Sequence, residues 1–352
     1  MNKSDQEFVS AVRGQGRTNR IVFHPISALG PCEPPEWCWR GFVAKGHATL
    51  LAALWKCGKS TLIGHLLRDM CGVGAGGLAE PVDGPMLVVS EESSAQWSKR
   101  REDLSLTDQV RVCSRPFTGT PTFTQWEDVV MGIAEDVDQQ GASLVILDTL
   151  SALWPVQDEN DAARVSRALN PLRTMMERGA GLLLVHHIRK GDGGEGQASR
   201  GSGALPSFVD AIVELRRYDT GNLSDTRRKL TAYGRFDELV PEMVIELTDK
   251  GYQSAGVVCV VHQEDQLEAI AKVLRGAQSP ITESEIRDLW PEGVHPPGRT
   301  RMSVLLREGT QSARWLRGGQ GVKGSPFTYA INHQTTDEET SDSIRSPLAP
   351  YG

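Results

Sequence analysis

The sequence predicts an α/β fold, a mainly parallel sheet covered by helices, with a second, smaller unit after it. Two observations carry that reading. Short apolar runs recur at residues 49–54, 86–89, 144–147, 182–185 and 211–215, and several are separated by stretches of helix length. From about residue 263 the pattern changes to short amphipathic helices followed by a glycine-rich hairpin.

Taken in order, residues 1–30 show no sustained periodicity and read as an N-terminal lead-in. Pro31, Pro34 and Pro35, then Trp37 and Trp39, predict an extended segment packing on a domain surface, and the first firm element is expected near Ala48. A helix is expected after Asn160 or Asp161 as N-cap, because Val165, Ala168, Leu169, Leu172 and Met176 fall at helical spacing and Gly179 and Gly181 follow. Between 229 and 261 the pattern is strand-like, with 244–247 and 257–261 as the later strands. In the second unit, 266–274, 283–290 and 300–307 read as helices and 315–331 as a hairpin. The tail from His333 carries acidic residues and two prolines, a composition that buries little apolar area. The expected division is therefore 1–30, 31–262, 263–332 and 333–352.

The 352 residues, 39% hydrophobic and 24% charged, suffice for a sizeable core. Nowhere is there the run of ~20 apolar residues that a bilayer span requires, and the first twenty residues lack the apolar stretch of a leader, so a cytoplasmic location without membrane contact is expected. Six cysteines without a CxxC pair read as free thiols. A net charge of −7 argues against nonspecific attraction of the whole chain to nucleic acid, which leaves local charge to be weighed separately.

The strongest local signal is Ala53-Leu54-Trp55-Lys56-Cys57-Gly58-Lys59-Ser60-Thr61, which follows an apolar strand and opens a helix. It matches a phosphate-binding loop except for Ala53 at the usual first glycine. Gly58 lets N–H groups turn toward phosphates, Lys59 reaches the β- and γ-phosphates, and Ser60 suits Mg²⁺. Residues 144–147 end in Asp148, a carboxylate placed to hold the water shell of Mg²⁺. Residues 86–89 end in Ser90-Glu91-Glu92, where Glu91, or else Glu92, is the candidate base that orients water. The run 182–185 ends in His186-His187, of which one imidazole is positioned to report the γ-phosphate. Four glycines between Gly191 and Ser199 predict a mobile loop suited to relaying nucleotide state to a polymer.

This order of motifs, completed by Ala198-Ser199-Arg200-Gly201-Ser202-Gly203, resembles the RecA-fold ATPases of the RepA-like replicative helicase group over roughly residues 30–260. The resemblance implies a RecA-like P-loop core in which Trp55 to Thr61 cradle ATP and Ser60 and Asp148 serve Mg²⁺, with Asp148 acting through water. It also makes Glu91 the catalytic glutamate and His187 the γ-phosphate sensor. A hexameric ring is implied, with a basic residue borrowed from the neighbouring subunit. Where such helicases carry that residue this chain reads Val209-Asp210-Ala211-Ile212-Val213, so the candidates shift to Arg200, Arg216, Lys229 and Arg235, with Lys229 and Arg235 favoured.

Helix, helix, helix, hairpin is the order of a winged helix. Between 293 and 332 six basic residues (Arg299, Arg301, Arg307, Arg314, Arg317, Lys323) face one acidic residue, Glu308. Such a stretch suits phosphate contacts. The expectation is a DNA-acting ATPase, with single-stranded DNA at the core loop and duplex at the winged helix. The alternative is an ATP-dependent DNA-binding switch that does not translocate.

Overall fold

The computed structural model describes residues 23–30, 33–74, 77–187, 202–291 and 294–333. The chain forms two compact units, Met1–Pro35 and Glu36–Gly352. The described part of the first carries a single 3₁₀ turn, Ile26–Ala28.

The second unit opens with a small antiparallel pair, β1 (Trp37–Trp39) and β2 (Val43–Ala44). Trp39 is 1% exposed and stacks on Phe42 at 4.2 Å, so these residues are core and not the surface lead-in that the prolines suggested. There follow β3 (Ala48–Ala53), α1 (Lys59–Met70), β4 (Met86–Ser90), α2 (Ser94–Leu104), β5 (Val110–Ser114), α3 (Phe123–Gln140), β6 (Leu144–Asp148) and α4 (Leu150–Leu153). Next come α5 (Ala162–Leu169), α6 (Arg173–Glu177), β7 (Gly181–His187), α7 (Ala204–Phe208), β8 (Ala211–Arg217), β9 (Arg227–Gly234), β10 (Glu242–Thr248) and β11 (Gly251–Gly256).

One nine-stranded sheet runs β11-β10-β9-β8-β3-β7-β6-β4-β5. The six strands from β8 to β5 are parallel, and β9 to β11 extend the sheet antiparallel. The α/β class with a mainly parallel sheet is thus what the chain forms. Strands buried on both faces read as continuous apolar runs, and β3, β4, β6 and β7 are such strands. One face packs on α3, α5 and α7 through Trp126, Val130, Val165, Leu169 and Phe208. The other packs on α1 and α2 through Leu62, Ile63, Leu66 and Trp97. Helix α3 is set by a capping box, Thr122 with Gln125, and its indole Nε1 of Trp126 donates to the Ala168 carbonyl at 2.8 Å.

Two expectations are corrected. The helix capped by Asp161 stops at Leu169, because Pro171 lies in a 3₁₀ turn (Asn170–Leu172) before α6 begins. The tighter turn shifts the phase, so that Met175 is buried where Met176 was expected. Residues 257–261 are not a strand. After β10 a turn at Thr248 to Gly251, with Gly251 at φ 103°, sends the chain straight back as β11, and Val258 then opens helix α8 (Val258–Gly276). The boundary expected at 262/263 falls inside that helix.

Beyond it lie β12 (Ile281–Thr282), α9 (Glu283–Asp288), α10 (Arg299–Gln311), β13 (Trp315–Gly318) and β14 (Thr328–Ile331). The three strands pair in the order β12-β14-β13, all antiparallel, around a core of Ile270, Leu274, Ile286, Leu305, Leu306 and Trp315. No helix among the described residues is long and apolar enough to cross a membrane.

Candidate phosphate-binding site

Parallel strands bring their C-terminal ends to one edge of the sheet, where open α/β sheets bind ligands. Register fixes the neighbours here: Ala53 of β3 lies beside His187 of β7, and Asp148 of β6 beside Ser90 of β4.

The turn from β3 into α1 takes positive φ at Lys56 (57°) and Gly58 (101°) and not at Ala53, which is a buried strand residue. An alanine therefore meets the demands of that position. Gly58 occupies the N-cap without a side-chain bond, which leaves first-turn N–H groups at Lys59, Ser60 and Thr61 open to an anion. Lys59 is 5% exposed, and its ammonium donates to the carbonyls of Ala53 and Leu54, both at 3.3 Å, and to His187 Nδ1 at 2.9 Å. Burial lowers its pKa, with the Asp148 carboxylate foremost in opposing the shift. Trp55 and Lys56 are exposed at the crest of the turn, and Cys57 is buried with its thiol donating to the Leu215 carbonyl at 3.4 Å.

The two glutamates after β4 have different environments. Glu91 is exposed, its N–H bonds the Asp148 carbonyl at 2.9 Å, and its Oε1 accepts from Thr149 Oγ1 at 3.1 Å. Glu92 is held by Arg100 through two bonds of 2.5 and 3.2 Å. Glu92 is thus neutralised in place, and Glu91 presents a carboxylate at the sheet edge.

Asp148 is 2% exposed, and burial, then Glu92 and Glu91, push its pKa up to about 6 against Arg100 and Lys59. A buried carboxylate crowded by two others fits a divalent cation as neighbour. Among the described residues no three His, Cys, Asp or Glu side chains form a closed metal cage. The set fits Mg²⁺, which keeps several waters and takes phosphate oxygens besides one or two protein ligands. Ser60 and Asp148 are the residues that would hold it.

Successive residues of β7 alternate faces. His187 shares the side of Ala53, and its imidazole pKa is lowered by burial and then by Lys59. His186 points the other way, where its Nε2 lies 3.4 Å from Glu159 Oε2. Residues 188–201, including Arg200 and the glycine-rich loop, lie outside the described residues.

Of the remaining basic candidates, Arg216 bonds the buried Glu214, Lys229 pairs with Glu242 at 2.7 Å and Arg235 with Asp210 at 2.7 Å. Each of the three is thus engaged by a carboxylate of its own chain. A residue that reaches the phosphate loop is Arg228, which sequence reasoning did not single out: its Nε donates to the Cys57 carbonyl at 3.0 Å. The signal was strand parity, since Arg228 shares a face with Leu230 and Ala232, both packed toward α1. Thr149, which holds Glu91, had no signal beyond its place after Asp148.

Residues 20–193 match a family described as "AAA domain". No curated protein matches the chain. Among solved structures, the chain is similar to one titled "Crystal structure of the RadB recombinase", at 15% identity and a TM-score of 0.43, over 60% of this chain and 91% of that one.

Proposed function

We propose that this chain is an ATP-hydrolysing, RecA-like ATPase acting on DNA, of the RepA-like helicase or mobile-element replication kind. The observation that carries the reading is the convergence of Lys59, Asp148, Glu91 and His187 at the C-terminal edge of one parallel sheet, around a turn with open N–H groups. Match of residues 20–193 to an AAA domain supports the nucleotide part.

In this reading the turn from Trp55 to Thr61 cradles the polyphosphate, and Lys59 gives up its carbonyl partners for the β- and γ-phosphates. Mg²⁺, when bound, neutralises developing phosphate charge. Glu91 orients the attacking water and accepts its proton, and Thr149 fixes the carboxylate's direction. His187, already bonded to Lys59, follows the γ-phosphate when that lysine moves. The charge of the leaving group is met by a basic residue from a neighbouring copy in a ring, Lys229 or Arg235, each of which must exchange its acidic partner for phosphate.

The C-terminal unit, read as a winged helix, offers duplex DNA the exposed face of α10, where Arg299, Ser303 and Arg307 recur every fourth residue. Single-stranded DNA is assigned to the glycine-rich stretch Gly191 to Ser199, which lies outside the described residues. The site of action is the cytoplasm. One observation favours the second reading, a nucleotide-dependent DNA-binding switch: both favoured trans residues are paired within their own chain.

The test is ATPase rate and oligomer mass with and without single-stranded DNA. A hexameric mass and a steep DNA-dependent rise in rate support the motor. ATP-dependent duplex binding with negligible turnover favours the switch, and failure to bind ATP at all overturns both.

A further inference from the structure

We infer that Arg228 is a positioning residue of the phosphate loop, holding the Cys57–Gly58 peptide so that the Gly58 N–H faces a nucleotide polyphosphate. The inference rests on the nucleotide reading above and adds to it a residue of the same chain.

The guanidinium is itself anchored. Its Nη1 donates to the carbonyls of Asp225 and Arg227 at 2.8 and 2.7 Å, while Nε reaches across to the Cys57 carbonyl at 3.0 Å. Three carbonyls thus fix one rigid planar group, a geometry that the point charge of a lysine cannot copy. The Cys57–Gly58 peptide is trans, the only cis bond among the described residues being Asp148–Thr149. In a trans peptide the C=O and the following N–H point in opposite directions. Turning the Cys57 oxygen toward β9 therefore turns the Gly58 N–H away from β9 and toward the mouth of the loop.

Surroundings reinforce the orientation. Gly58 at φ 101° holds a conformation that side-chain-bearing residues rarely adopt, with the Tyr252 hydroxyl and Arg228 Nε at ordinary contact distance from where a Cβ would stand. Cys57 is tied to β8 through its thiol. Without Arg228 the peptide would have a free carbonyl at the loop crest and no reason to keep its N–H outward. An inward carbonyl would repel phosphate.

Calorimetric titration of Mg²⁺-ADP and Mg²⁺-ATP into wild type, Arg228→Met, Arg228→Lys and Lys59→Ala tests the inference. Arg228→Met should weaken the binding of both nucleotides to the folded protein about tenfold or more, the loss of a charge-assisted bond, over and above any fall in nucleotide-free melting temperature from freeing three carbonyls. Arg228→Lys should recover only part of the affinity. A purely structural role would instead lower the melting temperature and leave the affinity of the folded fraction unchanged, which would overturn the inference. Wild-type affinity in Arg228→Met with Lys59→Ala inactive in binding would overturn it too, and leave the nucleotide reading standing. Wild-type affinity in Lys59→Ala would remove the nucleotide reading itself. Should Arg228→Met not fold, hydrogen exchange on wild type decides: the Gly58 amide must exchange quickly without nucleotide and gain protection with Mg²⁺-ADP, and protection already present in the free protein would refute an outward N–H.

Discussion

His187 Nδ1 lies 2.9 Å from Lys59 Nζ, which joins the tip of β7 to the first residue of α1. With lysine charged, the ammonium donates and the imidazole is the neutral Nε2–H tautomer. Burial, and after it the lysine charge, lower the pKa of the imidazole.

Lys59→Met should accordingly abolish measurable ATP binding in calorimetry and raise the His187 pKa, since the lysine charge contributes to its lowering. Proton NMR titration of the imidazole checks the second part. An unchanged His187 titration would show that the contact does not persist in solution.

Glu91→Gln should keep ATP affinity and lose on the order of 10²–10⁴ in turnover, because the amide retains volume but not the proton acceptor. Glu92→Gln should lose its ion pair with Arg100 and retain most of the rate. Steady-state phosphate release separates the two, and a dead Glu92→Gln enzyme would move the base by one residue.

The buried Asp148 gives a pH signature. Its folded pKa of about 6 exceeds the ordinary 3.8, so between these values the folded chain binds the proton more tightly than the unfolded chain. Stability of the free protein then falls as pH rises through this window. Asp148→Asn should be more stable than wild type at pH 7.5, by roughly 3 kcal/mol, and the gap should close near pH 4. Denaturant melts at both pH values measure it, and equal gaps would refute the assignment.

A shared site predicts complementation. Glu91→Gln chains keep the basic finger and Arg235→Ala chains keep the glutamate, so mixing two inactive proteins should restore ATPase at some interfaces. Full activity of Arg235→Ala and Lys229→Ala alone, or a monomeric mass with ATP, would exclude the arrangement.

Arg299→Ala with Arg307→Ala should weaken duplex binding and reduce the slope of log K against log salt by about 2, with ATP affinity unchanged. Both are exposed on α10, whereas Arg314 is paired with Glu264. An unaltered salt slope would move DNA off this face.

What could be read from the sequence follows from burial. The strands β3, β4, β6 and β7 announce themselves because both faces are apolar, and Asp161 announces α5 as a cap. Edge strand β5, Val-Arg-Val-Cys-Ser, did not, because no residue in it is fully buried. The valine-rich run at 257–261 imitates a strand, and only its position after a completed hairpin makes it helical. At the site, the residues that belong to a motif could be located one by one, and Lys59, Glu91, Asp148 and His187 do stand at the C-terminal edge of the sheet. Thr149 and Arg228 act through contacts 58 and 171 residues away in sequence, which no local pattern records.

Helix α8 belongs to both halves of the second unit. Near its start Asp265 takes two bonds from Arg227, the neighbour of Arg228 on β9, while Leu267, Ile270, Ala271 and Leu274 form one wall of the C-terminal core. Nineteen residues of unbroken helix make a stiff shaft about 28 Å long. The contact with the strand that touches the phosphate loop lies at Asp265, so a tilt of about 5° there would move the far end, about 16 Å away, by about 1.4 Å. One continuous helix thereby ties the C-terminal core to the strand that touches the phosphate loop.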